Sequence, residues 1–115
     1  MKSAIPLVLL LPLLGVTACG SDVDDRPATW SFIHAAIILP NCATAGCHST
    51  LTKTFGYDFE DKATALMWFL SDGGPDIAVI SETGRDGVRM PPDQPLPHAD
   101  IALIDRWMRE GRQDN

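Results

Sequence analysis

The feature that most constrains this chain is a short segment in which two cysteines and a histidine lie close together. Cys42 and Cys47 are separated by four residues, and His48 follows the second cysteine directly. Two thiols and an imidazole at this spacing can be linked to each other, to a metal or to a prosthetic group. Small domains often need such a link to supplement their hydrophobic core. The segment therefore predicts a small domain held together by a covalent or coordinate link.

The same three residues suit the covalent attachment of haem. Two thiols can reach the two vinyl groups of one porphyrin, and a histidine bonded to the second cysteine can hold its imidazole beneath the iron. The usual signature has two residues between the cysteines, so the four-residue spacer makes a longer loop, which Gly46 and its small neighbours would let fold close to the porphyrin edge. We predict one covalent haem c on Cys42 and Cys47, with His48 as an iron ligand.

Two other uses of these residues stay open. In an exported protein, Cys42 and Cys47 could form a disulfide, which their separation and an oxidising compartment would allow. A zinc site made of both cysteines, His48 and either His34 or His98 has suitable ligand types. No second Cys or His pair completes a zinc spacing, however, so the zinc site is disfavoured.

A second candidate iron ligand lies downstream, in a proline-rich loop. Met90 precedes Pro91 and Pro92, which hold the chain extended, so its sulfur can be presented rather than buried. Met67 and Met108 fall in predicted amphipathic helices, where core packing is the usual role. Ligation of haem iron by His and Met raises its reduction potential. We predict Met90 as the distal ligand.

Four further side chains are weaker candidates. His34 and His98 are alternative ligands, but both fall on predicted helices, and a surface or boundary position is expected for His34. Arg85 and Arg89 flank Met90 and could pair with haem propionates, although a surface role is equally compatible with their positions. The three tryptophans are expected to be core residues or to pack on the porphyrin.

Together these motifs resemble the single-haem cytochrome c domains of bacterial, notably myxobacterial-type, exported lipoproteins. Residues 38–49 and 89–92, in that order, carry the resemblance with the closing helix, and it covers residues 30–111. It implies an all-α, cytochrome c-like fold of about three helices around one covalently attached haem, with the first helix packed against the last. It also implies His48 as the proximal and Met90 as the distal ligand.

The function that this resemblance implies is single-electron transfer. With His48 and Met90 on the two axial positions, no open iron site remains for a substrate, so we expect a carrier with redox protein partners rather than an enzyme. A second haem motif, as in a di-haem peroxidase, is missing from the sequence. Two alternatives stay open: a five-coordinate haem that senses a ligand or reacts with peroxide, and a haem-free structural lipoprotein with a Cys42–Cys47 disulfide.

Hydrophobic periodicity predicts three helices. The first is capped by Thr29 and ends at Pro40, because the residue before a proline avoids the helical region. The second spans about residues 60–70, starts at Asp58 or Asp61 and is terminated by the two glycines that follow it. Its expected buried stripe is Ala63, Leu66, Met67 and Leu70.

The last predicted helix runs from about Ala99 to Glu110, with Asp100 in its first turn and Gly111 as its stop. Its expected apolar face is Ile101, Ile104, Trp107 and Met108. The turn-rich stretch before it, residues 75–97, is expected to be mostly coil.

The N-terminal residues predict export. Lys2 precedes an apolar run over residues 5–16, which has the length of a signal peptide and is too short to span a bilayer. The run ends in Val-Thr-Ala-Cys, which resembles the lipobox of bacterial lipoproteins. Residues 1–18 are then removed and Cys19 carries the lipid, whereas an ordinary secretory signal would leave Cys19 as a free thiol.

The rest of the chain divides into a tether and one domain. Residues 19–28 are expected to form a lipid anchor and flexible tether, and residues 29–113 a cytochrome c-like domain. The expected location is the bacterial membrane, attached by lipid and facing the periplasm. By resemblance to lipoprotein sorting rules, Gly20 after the cysteine favours the outer membrane.

The charge balance excludes a nucleic-acid-binding surface. The chain has 15 acidic and nine Lys or Arg side chains, with a net charge of −6 at pH 7, whereas nucleic-acid-binding domains carry a basic patch. An acidic surface keeps a domain soluble and can also steer a basic partner through a salt-sensitive field.

Overall fold

The regular elements of this protein are helices. The computed structural model describes residues 23–72 and 76–115, and within these ranges no strand is formed. Helix α1 covers residues 30–41 in three consecutive segments, α-helical Trp30–Ile33, π-helical His34–Ile38 and α-helical Leu39–Asn41. The others are α2 (Lys62–Leu70), the single turn α3 (Ile77–Ile80) and α4 (His98–Arg109), with a short 3₁₀ turn at Thr54–Gly56. The predicted all-α class is confirmed, with four helices rather than about three.

Helix α1 begins as predicted but does not end at Pro40. The Thr29 hydroxyl oxygen accepts a hydrogen bond from the backbone N–H of Phe32, which caps the helix. The helix continues through Pro40 to Asn41 because its preceding segment widens into a π pattern, in which Leu39 N–H donates to the carbonyl of His34. A wider hydrogen-bond pattern accommodates a proline, which has no N–H to donate and clashes with the carbonyl four residues earlier.

Helix α2 buries a different face from the predicted one. Asp61 is its cap, with its carboxylate accepting from Thr64 N–H at 2.8 Å, and the helix ends at Leu70, before the two glycines, which lie outside the described residues. Its buried residues are Ala65, Leu66 and Phe69. Of the predicted stripe only Leu66 is buried, because Ala63, Met67 and Leu70 are exposed. The helix is apolar on nearly every side, so contacts of the Phe69 ring decide which face turns inward.

The centre of the core lies between α1 and α4. Trp30 and Trp107 are fully buried and stack with ring centroids 5.0 Å apart, so the first helix packs against the last as expected. Phe69 brings α2 to this pair, at 5.3 Å from Trp30. Helix α4 runs one residue earlier at each end than predicted and buries Leu103, Ile104 and Trp107, while Ile101 and Met108 are partly buried against the core.

The described residues 76–97, before α4, contain one helical turn and are otherwise irregular, close to the predicted coil. Asp76 caps α3 by accepting from Ala78 N–H at 3.0 Å. A tight turn follows, in which Arg85 and Val88 exchange two backbone hydrogen bonds of 2.8 Å. Met90 N–H then donates to Val79 C=O at 2.9 Å, which fixes the methionine beside α3.

Both ends of the described chain are hydrogen-bonded to the helical core. In the predicted tether, Arg26 pairs with Asp100 of α4 at 2.6 Å, and Arg106 of α4 donates to the carbonyls of Asp24 and Arg26. Asn115, beyond the predicted domain boundary, accepts from the N–H groups of Trp30 and Ser31 at the start of α1. The predicted signal peptide, Cys19 and Gly20 lie outside the described residues. No helix in the described ranges is long and apolar enough to cross a bilayer.

Candidate functional site

A cavity of about 560 Å³ brings the predicted site residues together. Its wall is formed by the end of α1, the loop after it, Phe69 of α2, residues 76–96 and Ile104 of α4, and it is overwhelmingly apolar. The side chains of Cys42, Cys47, His48 and Met90 all contribute to this wall. Cavities of about 300–1,000 Å³ with apolar walls and a few polar groups are typical of small-molecule and cofactor sites.

Backbone hydrogen bonds close the cysteine segment into a compact loop. Cys42 N–H continues the α1 pattern by donating to Ile38 C=O at 2.8 Å, and His48 N–H returns to Cys42 C=O at 3.0 Å. Cys47 N–H donates to Thr44 C=O at 2.9 Å. The longer spacer therefore folds back so that both cysteines reach the same cavity.

The two cysteines are free thiols in this structure. Burial, and to a smaller extent the neighbouring Cys47, raise the pKa of the Cys42 thiol to about 12. Cys42 is therefore protonated near neutral pH, and its part of the cavity wall carries no charge.

His48 is held by aromatic rings. It is buried, and its ring lies 4.8 Å from that of Phe59 and 5.8 Å, edge to face, from that of Tyr57. Its Nδ1 atom is buried and has no hydrogen-bond partner among the described residues. A buried polar atom without a partner costs about 1–3 kcal/mol, and no hydrogen bond from Nδ1 to the described residues fixes the orientation of the His48 ring.

Met90 reaches the cavity from the opposite segment of the chain. It is half-buried, and Pro91 and Pro92 line the cavity next to it. The Arg89 side chain donates to the carbonyls of both prolines, at 3.3 and 3.0 Å, which braces the loop. Of the other two methionines, Met108 packs at the edge of the core, but Met67 is exposed, contrary to its predicted core role.

The alternative ligands do not face the cavity. His34 is a buried core residue, not the predicted surface or boundary residue, because its Nε2 bonds the carbonyl of Phe59 at 3.0 Å. His98 is exposed and lies 3.3 Å from Glu82. Among the residues that the structure describes, no group of three or more His, Cys, Asp or Glu could hold a metal ion. The zinc site considered from the sequence is thus not assembled there.

The two candidate arginines differ in their surroundings. Arg85 lines the cavity but pairs with Asp76, also on the cavity wall, at 2.6 Å. The guanidinium of Arg89 donates hydrogen bonds to the carbonyls of Pro91 and Pro92. No tryptophan lines the cavity, so the predicted core role of Trp30 and Trp107 is confirmed.

Sequence reasoning missed most of the cavity wall. Aromatic residues recur at every second position in Phe55, Tyr57 and Phe59, and all three contribute to the wall. This alternation directly after the cysteine loop was the available signal. Val79, Ile80 and Leu96 also line the cavity, and they lie in residues 75–97, for which the sequence predicts mostly coil.

The residues present fit a haem. The cavity offers an apolar wall for a porphyrin, two thiols for its vinyl groups, and an imidazole and a thioether of the types that bind haem iron. No protein-family model matches the chain, and neither a curated protein nor a solved structure matches it.

Proposed function

We propose that this protein is a single-electron carrier, a c-type cytochrome with one haem attached to Cys42 and Cys47 and ligated by His48 and Met90. The observation that carries the proposal is the meeting of these four side chains on the wall of one apolar cavity, although the cysteine segment and Met90 are more than 40 residues apart. The bound haem would supply one-electron iron chemistry, with a potential raised by thioether ligation.

The residues of the chain have distinct tasks in this function. The thiols of Cys42 and Cys47 would anchor the porphyrin, and the buried His48 would supply an imidazole ligand to the iron. Met90, braced through Arg89, would supply a thioether ligand. The apolar wall would keep water away from the bound group. Ligation by two protein side chains would leave no site for a substrate, which favours electron transfer over catalysis.

The proposal extends to the setting of the domain. A signal peptide over residues 1–18 and a lipid on Cys19 would place it on the periplasmic side of a bacterial membrane, with the outer membrane favoured. Its partners would be redox proteins. The acidic surface of this domain would attract those partners that carry a basic surface.

The decisive experiment is expression in a host with cytochrome c maturation machinery, followed by a haem stain on a denaturing gel and an intact mass. We expect a stained band whose mass exceeds that of the processed chain by one haem. Cys47→Ala should lose the stain, whereas Ser49→Ala, a neighbour that does not line the cavity, should keep it. An exported, unstained chain lighter by two hydrogens would instead indicate a Cys42–Cys47 disulfide and refute the proposal.

The distal ligand is tested separately in the stained protein. Met90→Ala should retain the haem, lower the potential and open the iron to carbon monoxide, while Met67→Ala, on the exposed surface of α2, should change nothing. A wild-type high-spin spectrum, or an unchanged spectrum in Met90→Ala, would rule out Met90 as the ligand.

A further inference from the structure

The orientation of the His48 ring is not set in the usual way. Histidines that bind metals almost always donate their second ring nitrogen to a carboxylate, carbonyl or water. Here Nδ1 is buried without a partner among the described residues. Instead, the ring rests against Phe59 at 4.8 Å and meets the edge of Tyr57 at 5.8 Å. Ring contacts with Phe59 and Tyr57 therefore stand where a hydrogen bond would otherwise position the imidazole.

Phe59 itself is fixed through both groups of its backbone. Its N–H donates to the carbonyl of His48 at 2.8 Å, and its carbonyl is bonded by Nε2 of His34 at 3.0 Å. Because a carbonyl only accepts, Nε2 of His34 carries the proton. Two hydrogen bonds thus connect His34 to His48 through one residue, and all three residues are buried.

The presence of a histidine at position 34 calls for an explanation. The residue is buried in the π-helical segment of α1, with its ring 5.6 Å from that of Trp30. A polar group costs free energy to bury unless it is hydrogen-bonded. The hydrogen-bond partner of His34 is the backbone carbonyl of Phe59, whose ring contacts that of His48.

We propose that His34 is a positioning residue for the His48 imidazole, acting through Phe59. This role rests on the proposed function, because it concerns the geometry of His48 as an iron ligand. His34 is not among the residues that line the cavity. Its hydrogen bond to Phe59 keeps the phenyl ring pressed against the imidazole and so fixes the plane of the proximal ligand.

The test uses the haem-loaded full chain with three substitutions. His34→Leu removes the hydrogen bond, His34→Gln keeps a donor near the position of Nε2, and Leu103→Ala perturbs a buried core position away from the cavity. The first readout is the proton NMR pattern of the haem methyl groups in the ferric state, which reports the orientation of the axial imidazole plane. The second is hydrogen exchange at the Phe59 amide.

His34→Leu should change the methyl pattern and speed Phe59 amide exchange about tenfold, the effect of losing one buried hydrogen bond. His34→Gln should restore both, and Leu103→Ala should leave the pattern unchanged. If His34→Leu and Leu103→Ala behave alike, or if Gln does not rescue, the positioning role is refuted while the attached haem still stands. A wild-type chain without covalent haem would refute the proposed function and this role together.

Discussion

The two sides of this molecule are built differently. On the helical side, between α1 and α4, Trp30, Trp107 and Leu103 are almost entirely buried. The cavity side consists of residues 42–60 and 76–96, and there the chain is mostly irregular. It includes Lys53 and Phe55 with positive φ angles of 45° and 56°, and its apolar side chains surround a cavity of about 560 Å³.

The difference suggests that the helical side stabilises the fold and that the cavity side provides the proposed binding site. The helical side buries Trp30, Trp107 and Leu103, none of which lines the cavity, so we expect its helices to persist without a bound group. The cavity side relies on hydrogen bonds within its loops, such as Thr54 N–H to Cys47 C=O at 3.1 Å. We therefore expect the haem-free chain to keep its helices while the cavity side opens more readily. The following predictions test that contrast, using chain produced without haem maturation unless stated.

The largest expected effect is that of Trp107→Ala in the helical side. The substitution removes the stack with Trp30 and the hydrogen bond from the indole N–H to Gln113 C=O at 2.9 Å. We expect a loss of about 3–5 kcal/mol in the free energy of unfolding, measured by urea titration with circular dichroism. Met67→Ala, at an exposed position, should stay within about 0.5 kcal/mol of the wild type. A loss below about 1 kcal/mol for Trp107→Ala would mean that this side is not the main core.

What the sequence could predict follows the same division. Local signals predicted the start of α1 and the extent of α4 to within one residue, because caps and hydrophobic periodicity act locally. The proximity of the cysteine segment to Met90 was implied by the family resemblance and not by any local signal. The buried face of α2 was mispredicted, since Leu66 and Met67 are equally apolar and only the contacts of Phe69 choose between them. The role of His34 was also invisible, because its partner is a backbone carbonyl 25 residues away.

A matched pair of leucines sharpens the contrast. Leu103→Ala, in the sealed core, should cost about 3 kcal/mol, whereas Leu96→Ala should cost about 1–2 kcal/mol, because Leu96 borders the cavity and has fewer contacts to lose. Parallel urea titrations measure both losses. With haem attached the two costs should converge, since Leu96 would then have a neighbour on that side. Equal costs in the haem-free chain would contradict the division into two sides.

Acid should loosen the cavity side first, through Asp58. Burial raises the pKa of this carboxyl, but hydrogen bonds from Glu60 N–H, Lys53 and Thr50 outweigh burial and hold the pKa below its ordinary value of 3.8. A lowered folded-state pKa stabilises the fold above the unfolded value, and this contribution is lost as pH falls through the folded-state pKa.

Hydrogen exchange on the two sides therefore should diverge below about pH 4, with residues 49–60 losing protection before α1 and α4. Asp58→Asn, which keeps an acceptor but cannot titrate, should remove this dependence on pH. Simultaneous loss of protection in both sides of the wild type would assign the acid response to the fold as a whole.

The smallest expected effect is a gain in stability from Phe55→Gly. Phe55 has φ 56° and ψ 19°, a left-handed conformation that costs a side-chain-bearing residue about 1–2 kcal/mol. Glycine removes that cost but adds backbone entropy to the unfolded chain, about 0.5–1 kcal/mol. The net gain should be about 0.5 kcal/mol in urea titrations. Leu51→Gly, at an exposed position of the same loop without a positive φ, should lose about that amount.

Whether Phe55→Gly stabilises or destabilises the fold should depend on bound haem. Phe55 lines the cavity although the residue is 84% exposed, so a bound porphyrin would give the ring a surface to pack against. In the haem-loaded protein the substitution should then be neutral or destabilising, because the lost contact offsets the relieved backbone. If, in the haem-free chain, Phe55→Gly destabilised the fold as much as Leu51→Gly does, the left-handed backbone at Phe55 would carry no strain. If Phe55→Gly raised the free energy of unfolding by the same amount in the haem-loaded protein, Phe55 would make no contact with the haem. Its effect on stability would then come from the loop backbone alone.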